Sequence, residues 1–213
     1  MAARSCGVER MEDLSLHMLD IAENSVAAGA DRIEIAVEVD TGRDLLIVEV
    51  RDNGRGMDET TLQSVTDPFF TTKTVRRIGL GLPFLKQAAE ACNGDMQITS
   101  TPGKGTQVKV EFQHSHIDRM PLGDVAGTFL SLLIANPEIN WDFNYVVDGR
   151  EFKFESLPVT QALEGVSLTE PSILAYLRES IESGVADVLS AGPRPDRNPN
   201  SYTILSGDRK WPV

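Results

Sequence analysis

The chain has 213 residues, of which 41% are hydrophobic and 24% are charged. This balance is typical of a globular protein with one main core and a smaller second unit, and no apolar run is long enough to span a bilayer. The formal net charge of −12 argues against a nucleic-acid-binding surface, because phosphate contacts need clustered Lys and Arg. Two cysteines and the lack of an apolar leader predict a cytoplasmic protein.

Helical and strand patterns alternate in the first half of the chain. Apolar residues at helical spacing predict a helix over residues 9–28, which ends at Gly29. Alternation of apolar and charged residues then predicts a hairpin of strands at 32–39 and 45–50. The remaining predicted elements of this half are a short helix or turn at 58–66, a mobile loop at 67–78, a helix at 81–91 closed by Asn93-Gly94, and strands at 96–100 and 106–112. Residues 9–114 are thus expected to form one α/β (α+β) two-layer sandwich, with a mixed sheet packed on helices.

After about residue 115 the pattern changes, and residues 115–190 are predicted to be a small α+β unit of unknown role. Its predicted elements are an apolar helix at 121–135, strands at 139–147 and 150–155 joined by the turn Asp148-Gly149, a short helix at 158–164 and a longer one at 171–189. Trp141, Phe143 and Tyr145 share one face of the hairpin, which favours core packing over an interaction or dimerisation surface. Residues 191–213 are predicted to be a disordered tail.

Asp20 and Asn24 lie one turn apart on one face of the first predicted helix. The amide oxygen of Asn24 is a neutral hard ligand, suited to a Mg2+ that keeps most of its waters and bridges phosphates. A carboxylate at Asp20 would hold or activate a water beside such a metal. Taken alone, this pair is more often a solvated helix face, and only the motifs that follow favour a metal site.

The segment Asp52-Asn53-Gly54-Arg55-Gly56 directly follows a predicted strand. An Asp at a strand end is well placed to accept a hydrogen bond from an exocyclic amine such as adenine N6. Gly54 and Gly56 allow the backbone to approach a planar ring closely. An ordinary Asp-Asn-Gly turn is the equally weighted alternative.

Two further segments suit the anionic part of a nucleotide. Gly79-Leu80-Gly81-Leu82 opens a helix, and the free NH groups at a helix start attract anions. Lys73 would reach a terminal phosphate, although a solvated surface lysine is the commoner case. The hydroxyl of Thr106 would bridge to adenine through water or pair with Asp52, unless threonine stands there for its strand propensity.

Together, and in this order, the motifs resemble the ATP-binding domain shared by gyrase-type topoisomerases, Hsp90, sensor histidine kinases and the MutL mismatch-repair protein, the Bergerat or GHKL fold. The resemblance covers roughly residues 10–114 and is strongest toward histidine kinases. It implies ATP and Mg2+ as cofactors, with Asn24 as the metal ligand and Asp52 as the adenine-binding carboxylate. The residues implied to contact the nucleotide are Asn24, Asp52, Gly54, Gly56, Met57, Lys73, Gly79, Leu80, Gly81, Leu82 and Thr106.

The chain departs from the family pattern in two ways. Members that hydrolyse ATP usually carry a Glu, the general base, four residues before the asparagine, and the shorter Asp20 predicts at most slow hydrolysis. Histidine kinases also carry a phosphoacceptor His on a helix before the ATP domain, whereas few residues precede the first helix here. His17 is therefore interpreted as a site-lining or surface residue, and no metal site is expected from His114 and His116.

The resemblance implies a soluble kinase module that phosphorylates a partner protein in trans, on His or Ser/Thr. Two alternatives stay open: a slow ATPase acting as an ATP-gated switch, as in MutL and gyrase, and a regulatory protein that binds nucleotide without catalysis. The expected partners are ATP and a protein substrate or regulator, with no nucleic acid and no membrane. A homodimer is left open.

Overall fold

The computed structural model describes residues 13–65, 81–163 and 165–190. In this part of the chain the helices are α1 (Leu14–Ala27), α2 (Glu59–Ser64), α3 (Gly81–Ala91), α4 (Val125–Ala135), α5 (Ser156–Ala162) and α6 (Pro171–Ser190). The strands are β1 (Arg32–Asp40), β2 (Leu45–Asp52), β3 (Asp95–Thr101), β4 (Gly105–Gln113), β5 (Asn140–Val147) and β6 (Arg150–Glu155).

Capping residues set where the helices begin. The carboxylate of Asp13 accepts a hydrogen bond from the NH of Leu16, so α1 begins at residue 14, and the predicted helical residues 9–12 lie outside the described residues. Asp124 caps α4 in the same way through the NH of Gly127. The predicted helix at 121–135 therefore begins four residues later than expected, at Val125. An Asp placed before an apolar run is therefore a better start signal here than the apolar run itself.

A mixed six-stranded sheet runs in the order β3-β4-β2-β1-β5-β6. The two predicted hairpins are confirmed: β1 pairs with β2 and β5 pairs with β6, both antiparallel. Asp148 and Gly149, at φ 51° and 76°, have the left-handed backbone that a two-residue hairpin turn requires. The predicted sandwich of a mixed sheet packed on helices is confirmed.

The sheet crosses the predicted boundary near residue 114. β5 pairs in parallel with β1, with Trp141 beside Ile33 and Tyr145 beside Val37. Both rings are fully buried, and Phe129 of α4 stacks on Phe143 with centroids 4.6 Å apart. The favoured interpretation of these aromatic residues as core is confirmed. Residues 115–190 thus share one core with the first half, and their folding as a separate unit stays a prediction.

Hydrogen bonds also connect α1 to the segment before α4. The NH groups of Leu14 and Ser15 donate to the carbonyl oxygens of Pro121 and Leu122, each at 3.0 Å. These bonds satisfy two of the free donors at the start of α1. In the described residues, no helix combines the length and the apolar character needed to cross a membrane. The predicted disordered tail at 191–213 lies outside the described residues.

Candidate functional site

Asp52, the last residue of β2, forms the floor of the candidate site and is only 5% exposed. Its Oδ1 accepts hydrogen bonds from the backbone NH groups of Gly54, at 2.9 Å, and Thr106, at 3.2 Å. Its Oδ2 accepts a hydrogen bond from the hydroxyl of Ser25 on α1, at 2.7 Å. Because each carboxylate oxygen has two lone pairs, Oδ2 keeps one acceptor position for a ligand.

A cavity of about 350 Å³ opens beside Asp52, between α1, α2 and the sheet. Its apolar walls include Ile21, Ala28, Met57, Val65, Ile98 and Val108. A slot of this size with one buried carboxylate in an apolar wall suits a flat heterocycle that carries an amino group. The predicted contact residues Asp52, Gly56, Met57 and Thr106 all line this cavity.

Two glycines beside Asp52 are required by close contact between loops. Gly56 has φ +64°, and a side chain there would collide with the carbonyl of Thr101. Gly105 has φ +98°, and a side chain there would collide with the carbonyl of Asp52. The loop after β2 and the turn between β3 and β4 therefore close on Asp52 only because both positions lack a Cβ.

Thr106 contacts Asp52 differently from the prediction. Its backbone NH is the group that donates to Asp52, whereas its hydroxyl pairs with the hydroxyl of Ser100 at 2.9 Å. The Ser100 hydroxyl also accepts a hydrogen bond from the NH of Met57, at 2.8 Å. The Thr106 hydroxyl thus pairs with Ser100 on the neighbouring strand instead of with Asp52, so that alternative is wrong, and the water bridge from this hydroxyl to adenine stays a prediction.

Sequence reasoning missed Ser25. It lies on the apolar stripe of α1, directly after Asn24, and is 4% exposed. A hydroxyl on a core-facing stripe has to find a buried partner. That polar interruption of the stripe was the available signal, but only the packing of α1 on β2 shows that the partner is Asp52.

A second cavity, of about 360 Å³, lies between α1 and α3. It is lined by His17, Asp20, Ile21, Glu23, Asn24, Ala27, Gly81, Leu82 and Leu85. Glu23, next to Asn24 on α1, therefore adds a second carboxylate to the wall of this cavity. Asn24 lies in the walls of both cavities, so the two adjoin at this side chain.

Asp20 packs against the start of α3. A Cβ on Gly81 would lie 3.1 Å from Oδ2 of Asp20, so a larger residue there would crowd the carboxylate. The structure therefore brings together four of the predicted residues around the second cavity: Asp20, Asn24, Gly81 and Leu82. Lys73, Gly79 and Leu80 lie outside the described residues, as does the predicted loop at 67–78.

The polar side chains at the second cavity fit a metal ion that is held jointly by the protein and a ligand better than one held by protein groups alone. In the described ranges no group of three or more His, Cys, Asp or Glu is arranged to hold a metal ion. Mg2+ usually keeps several waters and takes one or two protein ligands together with substrate phosphates. Asn24, with Asp20 one turn earlier, matches that pattern. His116 lies elsewhere, where its Nδ1 accepts a hydrogen bond from the NH of Asp118 at 3.2 Å.

The rim of the first cavity carries a negative charge at Asp58, which caps α2. The backbone NH of Thr61 donates to this carboxylate at 2.8 Å. This hydrogen bond to the charged form holds the pKa of Asp58 below its ordinary value. Asp58 therefore stays ionised at neutral pH at the rim of this cavity.

Comparison with known proteins gives a family. Residues 11–116 match the family described as histidine kinase-, DNA gyrase B-, and HSP90-like ATPase. The sensor histidine kinase YxdK of Bacillus subtilis (strain 168) is 36% identical over 90 residues, which are 40% of this chain and 27% of that protein. The sensor protein kinase FleS of Pseudomonas aeruginosa is 42% identical over 89 residues, which are 42% of this chain and 22% of that protein.

These matched segments span about a quarter of the relatives' own length. Among solved structures, the N-terminal domain of a DNA repair protein is similar with a TM-score of 0.49 and 19% identity, over 84% of this chain and 57% of that one. The family match spans α1 to β4, the elements that carry Asp20, Asn24 and Asp52. Residues 11–116 of this chain therefore belong to the histidine kinase-, DNA gyrase B-, and HSP90-like ATPase family.

Proposed function

We propose that the chain binds ATP with Mg2+ and transfers the γ-phosphoryl group to a partner protein, on a His or a Ser/Thr side chain. The observation that carries this proposal is the position of Asn24, where an apolar cavity meets a second cavity that is lined by Asp20 and Glu23. ATP has the same two-part chemistry, a flat base and a polyanionic tail that takes a metal. The family match over residues 11–116, together with the likeness to two sensor kinases over 90 and 89 residues, supports phosphoryl transfer as the reaction class.

The free acceptor position on Asp52 gives the site a preference for adenine. An adenine amino group would donate to Oδ2, beside the hydroxyl of Ser25. Guanine presents a carbonyl oxygen at the same place, and two acceptors would then face each other with no proton between them. Because Asp52 is buried, water cannot easily compensate for that mismatch.

The second cavity would hold the triphosphate. When bound, Mg2+ neutralises charge that builds up on the transferring phosphoryl group. The amide oxygen of Asn24 would ligate the metal, and the first NH groups of α3 at Gly81 and Leu82 would face the phosphates. Asp20 and Glu23 line the same cavity, so an anionic tail depends there on the metal and on backbone NH groups.

An ATP-gated switch with slow hydrolysis is the second candidate, and the position of α1 favours it. This helix carries Asp20 and Asn24, while the NH groups of Leu14 and Ser15 at its start are bonded to the segment before α4. A shift of α1 on nucleotide binding would therefore be passed to residues 115–190. Asp20 would hold the attacking water in this case.

Incubation of the protein with Mg2+ and γ-labelled ATP distinguishes the two candidates. Label on an added partner protein establishes a kinase, and its lability in acid or alkali separates phosphohistidine from phosphoserine or phosphothreonine. Free phosphate without labelled protein favours the switch. Asn24→Ala should abolish either signal, whereas Gln97→Ala, which removes an exposed amide on β3, should not. Neither signal in the parent protein, despite bound ATP, would overturn both candidates.

A further inference from the structure

Arg55 and Lys104 differ from the other cationic side chains of the described residues. The others each have an ion pair, a hydrogen bond or another electrostatic partner: Arg32, Arg43, Arg51, Lys86, Lys109, Arg119, Arg150, Lys153 and Arg178. Within the described ranges Arg55 and Lys104 are exposed and their side chains have no such partner. Among the described residues, these two unpaired cations are an exception, and the whole chain has a net charge of −12.

The two cations lie on loops that are held together. Arg55 is in the loop after β2, and its carbonyl accepts a hydrogen bond from the NH of Gly103 at 2.7 Å. Lys104 is the next residue, in the turn between β3 and β4, where its own NH donates to the carbonyl of Thr101 at 3.0 Å. The backbone therefore presents both side chains from one fixed corner of the molecule.

This corner borders the base end of the nucleotide site. Arg55 lines the cavity that holds Asp52, whereas neither cation lines the cavity of Asp20 and Gly81 that suits the phosphates. The two cations are thus placed away from the cavity proposed for the triphosphate, and Arg55 lies in the wall of the cavity proposed for the base. Nothing in the proposed binding of ATP uses Lys104.

We propose that Arg55 and Lys104 form a docking point for an acidic segment of a partner protein, beside the nucleotide site. Arg presents a planar fork that binds a carboxylate through two hydrogen bonds, and Lys adds a point charge next to it. The inference rests on the proposed function only in requiring that a protein partner exists.

The number of charges separates this partner from other anions. Specific binding to a nucleic acid typically uses about 6–10 phosphate contacts, and a membrane surface is recognised by clusters of about 4–8 basic residues. In the part of the chain that the structure describes, two unpaired cations stand at this corner, fewer than either kind of surface uses. They are enough for a short run of Asp or Glu side chains.

A fluorescein-labelled peptide of ten glutamates, followed by anisotropy at low salt, tests the proposal on the full chain. Lys104→Glu should weaken peptide binding by about three- to tenfold. Lys104→Arg keeps the positive charge, so its affinity for the peptide should stay within about twofold of the parent. Lys153→Glu makes the same charge change at a half-exposed site on β6 and should alter binding by less than about twofold. Thermal unfolding of each variant confirms that it is folded.

Several results would overturn the docking point. One such result is the absence of measurable peptide binding, and another is equal weakening of binding by Lys104→Glu and Lys153→Glu. A third is that a ten-nucleotide single-stranded DNA binds more tightly than the peptide and that Lys104→Glu weakens this binding too. Displacement of the peptide by millimolar inorganic phosphate would reassign the corner to a small anion. Calorimetry with ATP keeps the two proposals apart, because loss of ATP binding with peptide binding retained would refute the proposed function alone.

Discussion

Asp52→Asn is the sharpest test of the base cavity, because it exchanges one oxygen for an NH2 group and keeps the shape. The amide oxygen should take the place of Oδ1, where the NH groups of Gly54 and Thr106 need an acceptor. The NH2 group then replaces Oδ2 and faces the hydroxyl of Ser25, which can accept as readily as it donates. Folding should therefore lose only about 1 kcal/mol.

Ligand binding should suffer more than folding in this variant. The adenine amino group would meet a donor where the parent offers a charged acceptor, and a hydrogen bond to a charged group contributes about 1.5–3 kcal/mol. Affinity for ATP should thus fall by roughly 10- to 150-fold, and the preference for ATP over GTP should shrink or reverse. The carbonyl oxygen O6 of guanine would now face the NH2 group of the Asn side chain, which can donate a hydrogen bond to it.

Calorimetry with Mg2+ and a non-hydrolysable ATP analogue measures the affinity, and urea unfolding measures the stability. Asp95→Asn, the same exchange at an exposed residue of β3, serves as the matched control and should change neither quantity. An affinity for ATP within about threefold of the parent would refute the assignment of Asp52 to the base. A stability loss above about 3 kcal/mol would show that the carboxylate serves the fold rather than a ligand.

Three further changes probe the surroundings of the site. Ser25→Ala removes a hydrogen-bond donor from buried Asp52 and should lower the free energy of unfolding by about 1–2 kcal/mol in urea titrations. Ser183→Ala, on the exposed face of α6, is the control and should leave the free energy of unfolding unchanged. Equal effects of the two changes would mean that the Ser25 contact contributes nothing to stability. Asp20→Asn should leave ATP affinity intact by calorimetry and remove any phosphate release, and an unchanged rate would exclude Asp20 as the base. Burial, with a contribution from Glu34, raises the pKa of Glu49, so the contribution of Glu49 to stability is greatest at acidic pH and falls as pH rises from the ordinary pKa of Glu through the raised one. Glu49→Gln should therefore stabilise the fold at pH 7 but not at pH 4 in urea titrations, and a pH-independent difference would contradict this cause.

Local patterns predicted the elements of the site well. Helical spacing placed Asp20 and Asn24 on one face of α1, and both line the same cavity. The Asp-Gly turn at residues 148–149 and the alternation on either side of it located the β5–β6 hairpin. These features depend on residues that are close in sequence, so periodicity and turn chemistry are sufficient to find them.

Contacts between distant segments were not predictable in this way. The alternation of apolar and polar residues in β5 would suit an edge strand of a separate unit as well as a strand of the common sheet. Only the packing places Phe143 on Phe129 and Trp141 beside Ile33. Likewise, the stripe of α1 marks Ser25 as core-facing without naming its partner across the sheet. Parallel strand pairing requires a long crossover connection, and its register is decided by side-chain packing that no short window of sequence contains.

The sequence by itself determined the family, the residue types of the candidate site and the helices and hairpins that carry it, because each depends on residue types at short spacing. Tertiary structure alone decided that residues 115–190 continue the same sheet, that Ser25 and the NH of Thr106 hold Asp52, and that the two cavities meet at Asn24. These outcomes follow from how α1, β1 and β2 pack together, and close packing allows only arrangements in which buried polar groups find partners.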